Sequence, residues 1–235
     1  MSDTLNDPRI AKGMQAQMEL RKRRFNEGAH QVGWKVGFGA PAALEKLKLT
    51  MPIIGFVLDR AMLSSGAAVS LHGWQKPVAE AELAAYIGQD LPALANRDTV
   101  RKAIAAIGPA IELADIDCAM DDVPAVLSGD IFQRHVILGP RDIMRGGARL
   151  DGLKGRVTQS GQDIPVPADL QTNTGDVVNI VRHVADMAAA LGDRLRAGQF
   201  VICGSLTPPM FLQPDETGVD FALEPIGAIS ARFAA

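Results

Sequence analysis

Apolar positions recur with two different periods along the chain, and the period separates the expected helices from the expected strands. Between residues 8 and 28, Ile10, Met14 and Met18 recur every four residues among charged side chains, which predicts an N-terminal helix. The segment GDVVNIVRHVADMAAALG has the clearest helical period, and Gly192 marks its end. The predicted apolar face of this second helix contains Val177, Val181, Val184, Met187, Ala188 and Leu191.

Two shorter helices are expected between the N-terminal helix and the helix that ends at Gly192. An amphipathic stretch predicts one at residues 42–49, and a second is predicted at residues 98–107. Asn96 or Asp98 is a suitable N-cap for the second helix, and the Gly-Pro pair that follows it would end it. In the helix that ends at Gly192, His183 lies near charged residues, so we expect it on the polar side of that helix.

Alternation of apolar and polar residues identifies the strands. Residues 79–87 predict one strand, and further strands are expected in MPIIGFVL, PAIELADID, QFVICGS, GVDFAL and IGAISARF. Strands outnumber helices and do not alternate regularly with them, which disfavours a doubly wound sheet. The pattern predicts a single α+β domain, with a helical arm at residues 1–32 followed by the main body at residues 33–235.

Composition and charge narrow the class of protein. The chain has 235 residues, of which 47% are hydrophobic and 22% charged, and its formal net charge is −3. Nothing in this balance indicates binding to nucleic acid or to an anionic membrane. The basic run Arg21-Lys22-Arg23-Arg24 is more typical of a solvated helix face than of a phosphate site.

The first residues and the cysteines bear on location. The opening MSDTLNDPRI lacks the apolar core of a signal peptide, and no apolar run reaches the roughly 18 residues that a membrane span requires. Cys118 and Cys203 lack the spacing of a disulfide framework or a metal knuckle, so we expect two buried thiols. These features predict a cytoplasmic protein.

Glu80 and Glu82 are the most informative local feature. On a helix, side chains two positions apart point in nearly opposite directions, so the two carboxylates could not reach one ion. On a strand they leave the same face, and the flanking residues support a strand. Its other face would then be apolar and contain Ala81, Leu83, Ala85 and Ile87.

Glu112 supplies a third carboxylate, 30 residues after Glu82 and between Ile111 and Leu113. A charge in such an apolar setting is costly unless it has a partner. Three carboxylates around a hard cation such as Mg²⁺ or Mn²⁺ leave positions for water and substrate. Exposed strands also carry alternating Glu residues, so the spacing alone leaves both a metal site and an ordinary strand surface open.

Several motifs in a fixed order resemble a known family. They are GWKVGF, MPIIGFVL, PVAEAELAAYIGQDL, GPAIELAD, VILG, LRAGQFVICGSLTPP and IGAISARF. Together, from about Gly33 to Phe233, they resemble the 2-hydroxypenta-2,4-dienoate hydratases and the related 4-oxalocrotonate decarboxylases. Both groups belong to the fumarylacetoacetate hydrolase superfamily. The resemblance implies a mixed β-sandwich roll, a divalent cation (Mg²⁺ or Mn²⁺) and a homo-oligomer.

The resemblance also assigns roles to individual residues. Glu80, Glu82 and Glu112 fall on the three metal ligands of the family. Lys35, in GWKVG, falls on its active-site lysine. The hydrolase branch typically has Asp as the third ligand, so Glu112 favours the hydratase and decarboxylase branch.

Substrate-binding residues are implied in two segments. Ser205 and Thr207, in GSLTPP, match hydroxyl positions that line the substrate pocket, although such residues are also common in plain turns. Asp130 stands where relatives usually have Asn, in the atypical segment SGDIFQRHVILG. Arg134 and His135 in this segment either contact a second carboxylate of the substrate or form a surface pair on a strand.

The implied activity is the hydration of a 2-hydroxy-2,4-dienoate to a 4-hydroxy-2-oxo acid in aromatic-compound catabolism. A 4-oxalocrotonate-type decarboxylase is the alternative, and a C–C bond hydrolase is more distant. A non-catalytic partner of a related decarboxylase or hydratase is a further alternative. Retention of Lys35 with all three glutamates argues against a non-catalytic partner, because a scaffold needs no metal ligands.

Overall fold

The helices of the computed structural model, which describes residues 3–234, begin where a side chain or a proline suits an N-terminus. Four of them are capped by an Asp or Asn side chain that accepts a backbone N–H, as Asn96 does from Thr99 at 2.9 Å. The helices are α1 (Pro8–Asn26), α2 (Pro41–Leu47), α3 (Arg97–Ala103), α4 (Val123–Ser128) and α5 (Val177–Ala190). Short 3-10 helices occur at Asp3–Asn6, Asp59–Ala61 and Ile143–Arg145.

Over residues 3–234, thirteen strands form two mixed sheets. The first has the order β2-β1-β10-β5-β6-β7-β3, with β11 beside β5, and the second has the order β4-β13-β12-β8-β9. The strands are β1 (Gln31–Gly37), β2 (Ile53–Leu58), β3 (Met62–Leu63), β4 (Ala68–Ser70), β5 (Pro77–Ile87), β6 (Ile104–Asp115), β7 (Gln133–Leu138), β8 (Lys154–Gln159), β9 (Gln162–Ile164), β10 (Phe200–Ser205), β11 (Met210–Phe211), β12 (Gly218–Glu224) and β13 (Gly227–Ala234). Three pairs, β1–β10, β3–β7 and β4–β13, are parallel.

The first sheet is rolled. Its edge strands β2 and β3 are consecutive in the chain and are separated only by Asp59–Ala61, so the two edges lie close together. A hydrogen bond across this seam joins the Phe56 N–H of β2 to the Asp130 carboxylate just before β7, at 3.0 Å. The roll gives the sheet a concave face and a convex face with different neighbours.

The main hydrophobic core covers the convex face. Helix α5 packs on β1 and β10, while β12 and β13 of the second sheet pack on β6. Helix α1 packs on α4 so closely that a Cβ at Gly13 would lie 2.6 Å from Leu127 Cβ. Ile10 and Met14 of α1 are buried in the same core. This mixed architecture confirms the predicted α+β fold, whereas the division at residue 32 stays a prediction.

One predicted boundary is wrong. The helix expected at residues 98–107 ends at Ala103, and Ile104 already belongs to β6. The reason is tertiary pairing, because Ile104 and Ile107 are partnered with Ile87 and Ala85 of β5. Backbone pairing with a long central strand overrides the local helical period.

Three side chains lie in other surroundings than predicted. His183 is buried, not on the polar side of α5, and its Nε2 is 2.8 Å from the Pro52 carbonyl oxygen. Arg21 is half-buried, pairs with Asp193 and lies over the Trp34 ring. Cys118 is half-buried, whereas Cys203 is buried as expected. Among residues 3–234, no helix is long and apolar enough to cross a membrane.

Candidate active site and metal centre

The three predicted metal ligands lie together on the concave face of the rolled sheet. The antiparallel register of β5 and β6 places Glu80 directly opposite Glu112, and Glu82 is the next residue of β5 on the same face. One carboxylate oxygen from each of the three lies within 4.8 Å of the others. Glu82 and Glu112 are buried, and Glu80 is half-buried. The strand geometry expected for this Glu-x-Glu pair is confirmed.

Three carboxylates in this arrangement repel each other. Like charges directly opposite on neighbouring strands are destabilising, and burial increases the cost. Burial and the charge of Glu112 raise the pKa of Glu80 to about 7. The same causes raise the pKa of Glu82 well above its usual range, although the Gly204 N–H donates to Glu82 Oε2 at 2.6 Å. A cation between the carboxylates would relieve this repulsion.

Lys35, on β1, lies beside the carboxylates. It is buried, its Nζ pairs with Glu112 Oε1, and it also donates to the Ile131 carbonyl oxygen at 3.0 Å. Burial opposes the positive charge, but the carboxylates of Glu112 and Asp130 outweigh it and raise the pKa of Lys35. Gly55 faces Lys35 on β2, and a Cβ there would lie 3.0 Å from Lys35 Cγ. A glycine at this position therefore leaves room for the lysine stem.

Ser205 and Thr207 line the same cavity as the glutamates and Lys35. Thr207 is buried, Ser205 is half-buried, and neither hydroxyl oxygen has a hydrogen-bond partner among residues 3–234. Buried hydroxyl groups are usually paired, so two unpaired ones in a cavity wall indicate a position for a polar ligand. They are well suited to donate to a carboxylate.

Asp130 lies behind the cavity wall. Its carboxylate accepts the Phe56 N–H, and burial raises its pKa well above the usual range. The cavity is lined instead by the next two residues, Ile131 and Phe132. Asp130, Ile131 and Phe132 have φ angles of 60°, 54° and 63°, a conformation that is rare for bulky side chains. The atypical segment that the sequence singled out thus shapes the cavity through its backbone and its apolar side chains.

Arg134 and His135 form no part of the cavity lining. Arg134 pairs with Asp115 at 3.2 Å and with Asp117 at 3.1 Å. His135 stacks on Trp74, with ring centroids 6.1 Å apart. The ion pairs of Arg134 fit the surface-pair interpretation, and neither side chain lines this cavity.

The cavity has a volume of about 400 Å³, within the range that small-molecule sites usually have. Sequence reasoning missed most of its other lining residues, and four of these lie in loops. Phe38 lies between β1 and α2, Met120 lies between β6 and α4, and Asn173 and Thr174 precede α5. Asn173 Nδ2 donates to the Leu206 carbonyl oxygen at 2.8 Å. All four lie outside regular elements, so no periodic pattern marks them.

The residues present fit a divalent cation. The donor set consists of carboxylate oxygens, which hard ions such as Mg²⁺ and Mn²⁺ prefer. Two hydroxyls with no partner among residues 3–234 and one buried ammonium lie around it. Such a site can bind an anionic oxygen ligand next to the cation and can exchange protons with it through Lys35.

Curated relatives cover most of this chain. It is 24% identical over 222 residues to 4-oxalocrotonate decarboxylase of Pseudomonas putida, and this match covers 92% of this chain and 83% of that protein. It is 23% identical over 240 residues to 2-keto-4-pentenoate hydratase of Paraburkholderia xenovorans, covering 99% and 87%. These two relatives are both lyases.

Solved structures show the same fold. The 4-oxalocrotonate decarboxylase of Pseudomonas putida G7, complexed with magnesium and adipate, matches with a TM-score of 0.87 at 22% identity, covering 100% of this chain and 90% of that one. Fumarylpyruvate hydrolase of Pseudomonas aeruginosa, in complex with Mn²⁺ and pyruvate, matches with a TM-score of 0.66 at 16% identity, covering 87% and 89%. The model of the fumarylacetoacetate hydrolase C-terminal family matches residues 25–234, so the chain belongs to this family.

Proposed function

We propose that the chain is a divalent-metal-dependent lyase that hydrates a 2-hydroxy-2,4-dienoate of the 2-oxo-4-pentenoate type to a 4-hydroxy-2-oxo acid. The observation that carries this proposal is the cluster of Glu80, Glu82 and Glu112 beside the buried Lys35 in one cavity. Relatives named 2-keto-4-pentenoate hydratase support the reaction. A homo-oligomer located in the cytoplasm and acting in aromatic-compound catabolism is part of the same proposal.

The glutamates would hold the cation, and Mg²⁺ or Mn²⁺ suits their oxygen donors. A bound divalent cation would supply Lewis-acid stabilisation of negative charge at the C2 oxygen of a 2-oxo acid. Glu82 is kept in place by the Gly204 N–H, and Glu112 is kept in place by Lys35. These contacts orient the carboxylates before any ligand arrives.

Lys35 would move a proton during the reaction. A 2-hydroxydienoate loses its C2 hydroxyl proton and gains a proton at C5, which gives a conjugated 2-oxo-3-enoate. Water then adds across the C3–C4 double bond, with its oxygen at C4 and a proton at C3. Lys35 lines the cavity as an ammonium, because Glu112 and Asp130 raise its pKa, so it would donate a proton in this sequence and would be reprotonated by the C2 hydroxyl or by the added water.

Ser205 and Thr207 would bind the C1 carboxylate. Both hydroxyls lie in the cavity wall and lack other partners among the described residues. Two donors would fix the substrate with its C2 oxygen towards the glutamates, and this positioning precedes the chemistry. Asp130 would act behind the wall by supporting Lys35 electrostatically rather than by touching the substrate.

Decarboxylation is the second candidate, because relatives named 4-oxalocrotonate decarboxylase match the chain equally well. Both reactions use the same electron sink at C2. They differ in what leaves or adds at the far end of the substrate.

One assay separates the two candidates. The purified protein is incubated with Mg²⁺ and either 2-hydroxypenta-2,4-dienoate or 2-oxo-3-hexenedioate, while dienoate absorbance and CO₂ release are followed. Loss of the dienoate without CO₂ supports the hydratase, and CO₂ from the dicarboxylate supports the decarboxylase. A chelated sample is the control. Turnover that persists in it, or no turnover of either compound, contradicts the proposed function.

A further inference from the structure

The charged side chains of the cavity lie together at one end, and the other polar side chains that line it are uncharged (Asn173, Thr174, Ser205 and Thr207). Among the cavity-lining residues of the described chain, the charged ones are Lys35, Glu80, Glu82 and Glu112, and Lys35 is the single cation. Lys35 is already engaged by Glu112 and by the Ile131 carbonyl oxygen. Three carboxylates, one ammonium and one divalent cation sum to zero charge. The site therefore has no spare positive charge once the C1 carboxylate of a substrate is bound.

The strand register shows which way the far end of a substrate must extend. On one side of the Glu80–Glu112 pair, the concave face continues into Ala84 and Ala110, which are completely buried. On the other side the next facing pair is Val78 and Ala114, and both line the cavity. The open part of the cavity therefore leads away from the glutamates over Val78 and Ala114.

The walls of this open part are apolar. They come from five separate segments of the chain, so the apolar character does not depend on one loop. The side chains that form them include Phe38, Ala43, Val78, Ile116, Met120 and Phe132. Pro208 and Pro209, which have no backbone N–H to offer, extend the same surface.

Two cationic groups near this region in sequence have other partners, and a third, Lys46 on α2, is exposed and does not line the cavity. Arg134 is held by Asp115 and Asp117. Lys76 lies 4.5 Å from the centroid of the Phe211 ring. Neither of them lines the cavity, so neither is placed to neutralise an anion bound there.

From these observations we infer that the substrate carries an uncharged, apolar end remote from its 2-oxo acid group. A second carboxylate would lose its hydration against an apolar wall without gaining a cation, which is unfavourable. An alkyl or aryl end would gain from burial in the same place. This inference rests on the proposed function, and it selects the apolar-ended members of that substrate class over the dicarboxylic ones.

A matched pair of unreactive analogues tests the inference by binding alone. 2-Oxoadipate ends in a carboxylate, and 6-methyl-2-oxoheptanoate has an isopropyl group of similar shape in its place. Their affinities for the full-length protein are measured by calorimetry with saturating Mg²⁺. We expect the isopropyl analogue to bind at least tenfold more tightly.

A positive charge introduced into the apolar wall provides a second test of the inference. Met120 is 37% exposed and lies outside regular elements, so a Lys at this position can reach both solvent and cavity. Met120→Lys should raise the affinity for 2-oxoadipate at least fivefold and should not raise the affinity for the isopropyl analogue. Met120→Gln is the uncharged control and should raise neither affinity.

The outcomes separate this inference from the proposed function. Equal affinities, or tighter binding of 2-oxoadipate by the unaltered protein, overturn the apolar-end inference and leave recognition of a 2-oxo acid intact. Binding of neither analogue overturns the proposed function, and the inference falls with it. Tighter binding of the isopropyl analogue, with a selective gain for 2-oxoadipate in Met120→Lys, supports both.

Discussion

The two ends of the concave face of the rolled sheet are formed by the same strands, but one end carries carboxylates and the other carries apolar side chains. At one end, β5 and β6 present Glu80, Glu82 and Glu112 to the cavity. Further along the same face, the side chains are apolar and buried. This apolar end consists of Val57, Ala84, Ala110, Val136, Phe200 and Ile202.

The comparison shows that burial alone does not reveal what a strand face is for. The apolar end stabilises the roll through the hydrophobic effect, at roughly 25 cal/mol per Å² of buried apolar surface. The glutamate end buries charges of like sign, which opposes folding. Residues that oppose folding and still occupy the centre of the sheet are explained by binding, not by stability.

Moving a carboxylate from one end to the other should produce the largest effect. Ala84 follows Glu82 on the same face of β5 and is completely buried. Ala84→Glu places a charge among apolar side chains with no cation, and we expect a loss of more than about 5 kcal/mol or failure to fold. Urea unfolding measures this. The control is Ala84→Gln, which adds similar volume without the charge and should cost less; an equal cost would show that overpacking, not charge, separates the two ends.

Removing the Lys35 ammonium at the glutamate end should reduce the stability less than Ala84→Glu does. Lys35→Met leaves Glu112 buried without its partner, and we expect a loss of roughly 3–5 kcal/mol in chelated buffer. The double variant Lys35→Met with Glu112→Gln should recover most of this loss, because neither charge remains. The free energy of unfolding is measured for both variants. A loss in the double variant as large as that in Lys35→Met would contradict the conclusion that the Lys35–Glu112 pair stabilises the fold.

Removing one unpaired hydroxyl should have the smallest effect on stability. Ser205→Ala should change the free energy of unfolding by no more than about 0.5 kcal/mol, because its hydroxyl has no partner to lose within the described structure. The same variant should raise KM for the dienoate roughly tenfold, corresponding to one lost hydrogen bond to a charged group. A large loss of stability with unchanged KM would show that Ser205 supports the fold and not the substrate.

Much of the fold is predictable because apolar residues recur along the chain with clear helical or strand periods. Helix α5 and strand β5 follow from four-residue and two-residue recurrence of apolar side chains, and both lie where predicted. The end of α3 differs from the prediction because Ile104 has a partner in β5 that is distant in sequence. The burial of His183 does not follow from the sequence of α5, because it depends on a hydrogen bond to Pro52, outside the helix.

The candidate site is predictable only in part. The Glu-x-Glu spacing leads from geometry to a shared strand face, and the structure brings Glu112 to that face. The cavity walls at Phe38, Met120 and Asn173 come from loops, where side-chain direction depends on the surrounding packing. Their contribution therefore becomes visible only when the sheet and its neighbours are in place.

Titration of the purified protein with Mn²⁺ tests the central claim most directly, with binding followed by calorimetry in the unaltered chain and in Glu82→Gln. Glu19→Gln, an exposed position on α1, is the matched control. We predict one binding site per chain in the unaltered protein and in the control. In Glu82→Gln, which stays folded, the affinity should be at least 100-fold weaker. Equal Mn²⁺ affinity in all three proteins would contradict a metal centre at the three glutamates.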